Sequence, residues 1–267
     1  MHEEQDLYPQ ALACLLACDV DTKLALTRDT AARWRRGDFM LGESGVTPVT
    51  EPGRPARPHL VEPRHLPKRG MQSGKRRAAL IHSLCHIEFN AINLAWDAVY
   101  RFRGLPSAFY DDWIRVADEE ALHFRLLREH LQTLGHDYGD FDAHDGLWQM
   151  ARETAHDPLL RMALVPRVLE ARGLDVTPGI MARFAEAGCR EVVDILKIIQ
   201  ADEVGHVAIG SRWFHHLCQQ RGLETETTFR QLLEEHMPGR AGGEIDRTAR
   251  RQAGFSEAEL DYLEGCG

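Results

Sequence analysis

Glu120-Ala121-Leu122-His123 and Glu203-Val204-Gly205-His206 decide how this chain is read. Each is a Glu-x-x-His string in a long run without proline. In a helix that spacing puts a carboxylate and an imidazole on one face, a turn apart. Two such pairs, with one lone glutamate from each of two further helices, form the ligand set by which a four-helix bundle holds two metal ions. Glu88 and Glu170 are the candidates for the lone glutamates.

The string alone is a weak signal. With 14 histidines in the chain, chance supplies about one Glu-x-x-His, and the sequence holds four. Glu62/His65 falls among prolines and Glu153/His156 just before Asp157-Pro158, so both read as structural or surface residues. Register separates the other two: Glu88 precedes Glu120, and Glu170 precedes Glu203, by the same spacing to within one residue. The chain therefore reads as two similar helical hairpins, the first helix of each supplying a Glu and the second a Glu-x-x-His. A buried ion-pair network is the competing reading, and it would have to reproduce residue type, face and spacing twice.

Working outward, the run from Ser73 as N-cap to Gly104 as a C-terminal stop predicts one long helix. Its apolar stripe is Leu84, Cys85, Ala91, Ile92 and Ala95, with Glu88 inside it, where an unpaired carboxylate would be costly. His82, His86, Asn90, Asn93 and Asp97 form a polar seam on the other side. His86 is expected to be a hydrogen-bonded residue of that seam, because side chains two apart on a helix point away from each other. Leu105-Pro106-Ser107 opens a second, antiparallel helix running to Gly135, whose stripe contains Trp113, Val116, Glu120, His123, Phe124 and Leu127.

Residues 136–156 read as a crossover with a short helix around Leu147 to Thr154. Asp157-Pro158 starts a third helix, expected to bend at Pro166 and to stop at Gly173. Thr177-Pro178 is expected to start a further stretch that Gly188 interrupts. The fourth long helix runs from about Cys189 to Arg221, with the stripe Val192, Leu196, Ile199, Glu203, His206 and Gly210. Residues 7–36 read as helix. From 37 to 70 six prolines exclude helix and central strand; an extended strap and a disordered linker both fit. The tail shows amphipathic pieces at Thr227 to His236 and Ser256 to Leu263 around a loop rich in Gly and Arg. The expected fold is all-α: an N-terminal helical segment with a Pro-rich strap (1–70), a four-helix bundle (71–222) and a C-terminal helical tail (223–267).

At 267 residues, 43% hydrophobic and 27% charged, the chain can bury a sizeable core. Its net charge of -9 gives no footprint for non-specific nucleic-acid binding, with Lys68-Arg69 to Lys75-Arg76-Arg77 as a local basic exception. The six cysteines form no C-x-x-C pair, which argues against a zinc ribbon or a redox dithiol. An acidic start, no signal-type apolar run and no stretch of about 20 apolar residues give the expectation of a cytoplasmic protein with no membrane partner. Carboxylates with imidazoles suit iron or manganese, so the cofactor expected is two metal ions, iron first, with manganese or a mixed pair as alternatives. Glu119 and Asp202, each just before a motif, are placed to accept the remaining imidazole N–H of a ligating histidine on a neighbouring helix. The alternative for Glu119 is an exposed charge.

The stretch His86-Ile87-Glu88, with Asp111-Asp112-Trp113, Glu119-Glu120-Ala121-Leu122-His123-Phe124 and Leu134-Gly135-His136-Asp137-Tyr138-Gly139-Asp140, resembles a bacterial ferritin-like family, domain of unknown function 455. The likeness continues through Ala143-His144-Asp145-Gly146-Leu147-Trp148, Val165-Pro166-Arg167-Val168-Leu169-Glu170-Ala171-Arg172-Gly173-Leu174-Asp175 and Asp202-Glu203-Val204-Gly205-His206-Val207. It covers most of residues 70–235. The resemblance implies a ferritin-like four-helix bundle with a di-iron or related dimetal centre, and a distant kinship to tRNA hydroxylases of that fold. Where His-Gln is expected after the first glutamate in many members, this chain has Phe89-Asn90.

The expected activity is that of an oxygen-activating oxidase or hydroxylase. Its partners would be dioxygen, an external reductant and an unidentified small molecule or modified nucleotide. A ferroxidase or metal-handling protein is the alternative. Leu127 stands four residues after His123, where radical-storing reductase subunits resemble one another in carrying tyrosine, and the paired C-x-x-C of a rubrerythrin-like peroxidase is missing.

Overall fold

A computed structural model describes residues 5–238 and 243–265. Among them the protein is all-α; the only extended pairings there are isolated bridges, Asp6 with Met40 and Leu60 with Ala143. The chain forms two compact units, Met1–Gln149 and Met150–Gly267. No helix among the described residues is long and apolar enough to cross a membrane.

In the first unit, α1 (Leu7–Leu16) and α2 (Val20–Arg35) precede the hairpin of α3 (Gly74–Arg101) and α4 (Ser107–Thr133). Residues 7–36 are thus two helices, not one. The break is made by Asp19, whose carboxylate accepts from the Thr22 N–H at 2.8 Å and starts α2. Ser73 caps α3 by accepting from the Arg76 N–H at 3.3 Å, and the chain leaves α3 through Gly104 at φ 71°, a left-handed turn that glycine adopts without strain.

α3 packs on α4, α1 on α3 and α2 on α4, so α3 is covered on most sides and even its polar seam is buried. Each seam residue has a partner. Lys23 reaches in from α2 and donates to Asn93 Oδ1 at 2.7 Å and to the Cys14 and Leu15 carbonyls that end α1. Asp97 pairs with Arg101 at 2.7 Å.

Residues 37–70 are a strap laid on this unit, with one 3₁₀ turn at Pro63–His65. The Thr47 N–H donates to the Tyr100 hydroxyl, Arg101 donates to the Val49 carbonyl and Trp148 to that of Thr50. Arg54 pairs with Asp145 at 2.8 Å. At Gly53 the strap runs so close to α1 that a Cβ would lie 2.2 Å from the Leu16 carbonyl oxygen. Prolines at intervals of three to five residues from Pro48 to Pro67 exclude a helix or a ladder there, and these bonds tie the strap down in their place.

α5 (Gly146–Glu153) spans the boundary between the units. In the second unit α6 (Pro158–Leu164) runs into a π-helical segment, Val165–Glu170, and then into α7 (Ala171–Glu186). Two expectations are corrected here: Gly173 does not stop the helix, and Pro178 lies inside α7. Pro178 cannot donate to the Leu174 carbonyl one turn back. Gln200 of α8 (Arg190–Arg221) donates to that carbonyl instead, at 3.3 Å, which satisfies the acceptor the proline leaves free.

α8 packs on α6, the π segment and α7, and α9 (Thr225–His236) on α6 and α8. Part of the expected Gly- and Arg-rich loop, 239–242, lies outside the described residues. Of the rest, Arg247–Gln252 forms α10, capped by Asp246, ahead of α11 (Glu257–Gly265).

Candidate metal centre

The apolar stripes of α3 and α4 face each other, and the acidic residues inside the stripes meet. Glu88 of α3 and Glu120 and His123 of α4 are buried, at 5%, 1% and 0% exposure. His123 Nδ1 lies 3.5 Å from Glu88 Oε2 and 3.4 Å from Glu120 Oε2. All three residues offer a ligand atom within 4.8 Å of the others.

Burial, and then the neighbouring Glu120, push the Glu88 carboxyl well above the usual carboxylate range. Burial alone would lower His123, but the Glu120 and Glu88 carboxylates outweigh it and push the imidazole up to about 11. Without a metal, a proton on His123 is the only counter-charge these carboxylates gain from within the triad. A divalent cation supplies more charge at the same point, and the donor set of oxygens and nitrogen without thiolate suits iron or manganese. The residues present therefore fit a metal ion. Phe89 and Phe124, next in sequence to Glu88 and His123, pack with ring centroids 5.6 Å apart beside them and keep the shell apolar.

The second unit holds the other predicted residues. Glu203 and His206 lie a turn apart on α8, with Glu203 Oε1 3.8 Å from His206 Nδ1. His206 is buried, and the Glu203 side chain is 14% exposed. Glu170 is half-buried at the end of the π segment. That segment seats on α8 at Gly210, where a Cβ would stand 2.4 Å from the Pro166 ring.

Glu119 and Asp202 are half-buried. His86 is a seam residue as expected: Nδ1 pairs with the Tyr138 hydroxyl at 2.9 Å and Nε2 with the His144 carbonyl at 3.0 Å. Of the strings set aside, Glu62 pairs with Arg64 at the surface, and Glu153 and His156 are exposed.

Sequence reasoning missed Tyr138, whose half-buried ring packs on Phe89 and Phe124 at 5.2 and 5.1 Å and so covers the residues flanking two ligand candidates. An aromatic residue in the crossover was its only signal. It also missed the buried pairs Arg167 with Glu259 and Arg250 with Asp175, both at 2.7 Å; nothing in the spacing of these residues marks them.

Fold and site together define an all-α protein with a buried Glu/Glu/His group able to hold a metal ion. The chain belongs to the family described as "Protein of unknown function (DUF455)", whose model matches residues 16–261. It is 50% identical over 216 residues to an uncharacterized protein of Haemophilus influenzae, with 78% of this chain and 75% of the relative aligned. No solved structure matches the chain.

Proposed function

We propose that the chain is a ferritin-like dimetal carboxylate protein acting as an oxygen-activating oxidase or hydroxylase. Glu88, Glu120, His123, Glu170, Glu203 and His206 hold two metal ions, iron first, with manganese or a mixed pair as alternatives. The observation that carries the reading is the burial of Glu88, Glu120 and His123 within 4.8 Å of one another, a costly arrangement without a cation. The same residue types at the same spacing in the second unit support a second ligand triad.

When bound, a pair of redox metals supplies the electrons for dioxygen activation. The chain's own residues set the conditions. Four carboxylates balance the charge of two cations, and Phe89, Phe124 and Tyr138 keep water from the first triad. Glu119 and Asp202 accept imidazole N–H groups and so fix the rings of the ligating histidines. Leu127 four residues after His123 puts no phenol at that place, which favours turnover of an external substrate over radical storage. That substrate is a small molecule or a modified nucleotide.

The test is metal analysis of the full chain expressed with iron or manganese, followed by oxygen consumption after reduction. About two metals per chain are expected, with loss of binding in Glu120→Ala and in His206→Ala; unchanged content in both variants would overturn the assignment. Oxygen uptake without a growing mineral core supports the oxidase or hydroxylase. Growth of a core would transfer the protein to metal handling.

A further inference from the structure

The helix that carries Glu170 is gripped on both sides by the C-terminal tail. Three residues before Glu170, Arg167 is wholly buried. Its Nη2 donates to Glu259 Oε2 of α11 at 2.7 Å and its Nε to Ser211 of α8 at 3.2 Å. The guanidinium lies over the rings of Phe214, Phe229 and Phe255, 4.7, 4.1 and 4.5 Å from their centroids. Glu259 is itself held: it accepts from the Ser256 N–H, while Ser256 Oγ accepts from the Glu259 N–H, a reciprocal cap that starts α11.

Five residues after Glu170, the buried Asp175 takes both prongs of Arg250 from α10, Nε at 2.9 Å and Nη2 at 2.7 Å. It also accepts from the Asp246 N–H at 2.9 Å. Two charge-assisted anchors thus flank the ligand candidate, and both come from the tail.

A π-helical turn holds one more residue than the α-helical turn competing with it, and such segments are rare because α geometry packs better. Sliding the extra residue past a side chain rotates that side chain by about 100°, enough to turn a carboxylate away from a metal. Pro166 and its notch at Gly210 favour a distortion here, but a notch does not choose where the extra residue resides. A cage around Arg167 and a two-pronged bond to Asp175 do, because each tolerates one orientation of its partner.

Stability alone does not explain these pairs, since a buried ion pair is often replaceable by apolar side chains with no loss of folding. We propose that α10 and α11 form a clamp that fixes the register of the Val165–Glu170 segment and so aims Glu170, which makes Arg167, Asp175, Arg250 and Glu259 positioning residues for metal binding. The proposal rests on Glu170 being a ligand.

Two variants of the full chain test it, read by helical content, by hydrogen exchange across residues 165–175 and by titration with Mn2+. Arg167→Met with Glu259→Met removes the pair without stranding a charge, and Arg250→Lys keeps the charge but loses the two-pronged fit. Both are expected to keep wild-type helical content, to exchange faster at 165–175, and to bind Mn2+ about tenfold or more weakly. Wild-type exchange and wild-type affinity in both variants would overturn the clamp. Faster exchange with unchanged affinity would overturn its role in aiming Glu170. If the wild-type chain binds no Mn2+ or iron, the dimetal reading fails separately, and unchanged exchange at 165–175 would then overturn the clamp as well.

Discussion

Glu88→Gln should stabilise the metal-free protein and remove its stabilisation by metal, so the order of wild type and variant reverses between the two states. The magnitude follows from the triad. His123 Nδ1 lies 3.5 Å from Glu88 and attracts its carboxylate when protonated, while Glu120, within 4.8 Å, repels it. At an effective dielectric of about 20 the attraction is roughly 5 kcal/mol and the repulsion roughly 3 kcal/mol, which leaves a net attraction of about 2 kcal/mol. Against it stands the larger cost of taking a carboxylate out of water, several kcal/mol per ion.

Protonation caps that cost. Bringing a carboxyl of ordinary value 4.5 to its neutral form at pH 7 costs about 3 kcal/mol. Gln keeps the shape and needs no proton, so the metal-free variant should gain about 1 to 3 kcal/mol, seen as a rise of roughly 3 to 10 °C in Tm. Saturating metal at 100 times its Kd adds about 2.7 kcal/mol to the wild type and far less to a variant lacking one ligand. Calorimetry of chelator-treated and Mn2+-loaded protein measures both. A metal-free variant less stable than the wild type would refute the reasoning, as would equal stabilisation of both proteins by Mn2+.

Three other outcomes follow. Burial holds His82 and His86 down to about 4, and both lock the crossover through Gly139, Tyr138 and His144. Their folded values lie below their unfolded ones, so this stability is present above about pH 6.5 and lost as pH falls through about 4, roughly 3 kcal/mol for each at the limit. Protection factors of residues 136–144, corrected for intrinsic exchange at each pH, should therefore fall between pH 6.5 and 4, and His82→Gln with His86→Gln should flatten that dependence; pH-independent protection in the wild type would contradict it. Gly210→Ala should lower Tm despite the better helix propensity of alanine, because its Cβ meets the Pro166 ring; overpacking costs about 1 to 3 kcal/mol against about 1 kcal/mol of propensity, and thermal melts read the balance. Asp97→Ala strands Arg101, which also ties the strap at Val49, so a loss of about 3 kcal/mol or more and faster proteolysis within residues 37–70 are expected.

The helices of the first hairpin were legible because their ends are marked by local chemistry: Ser73 and Gly104 act through their own backbone neighbours, as the structure shows. Asp19 carried the same kind of signal and separates α1 from α2. The second hairpin was read less well for a physical reason. Whether Pro178 ends a helix depends on what takes the carbonyl it leaves free, and Gln200 on another helix does so. Local sequence does not contain that partner. The π segment has the same origin, since Pro166 announces a distortion but the groups that meet the segment, Gly210 beneath the Pro166 ring and Glu259 on Arg167, lie far away in sequence. Among the site residues, Glu88, Glu120 and His123 were legible as polar interruptions of apolar stripes, because burying them is expensive enough to require a reason. Tyr138 was not, because an aromatic residue in a connection is unremarkable until the crossover is seen folded onto α3.

The most direct test of the dimetal assignment is anomalous X-ray scattering from crystals of the full chain loaded with iron or manganese. Two peaks are expected, bounded by Glu88, Glu120, His123, Glu170, Glu203 and His206. A loaded crystal with no peak there, or with its metal held by other residues, would contradict the assignment.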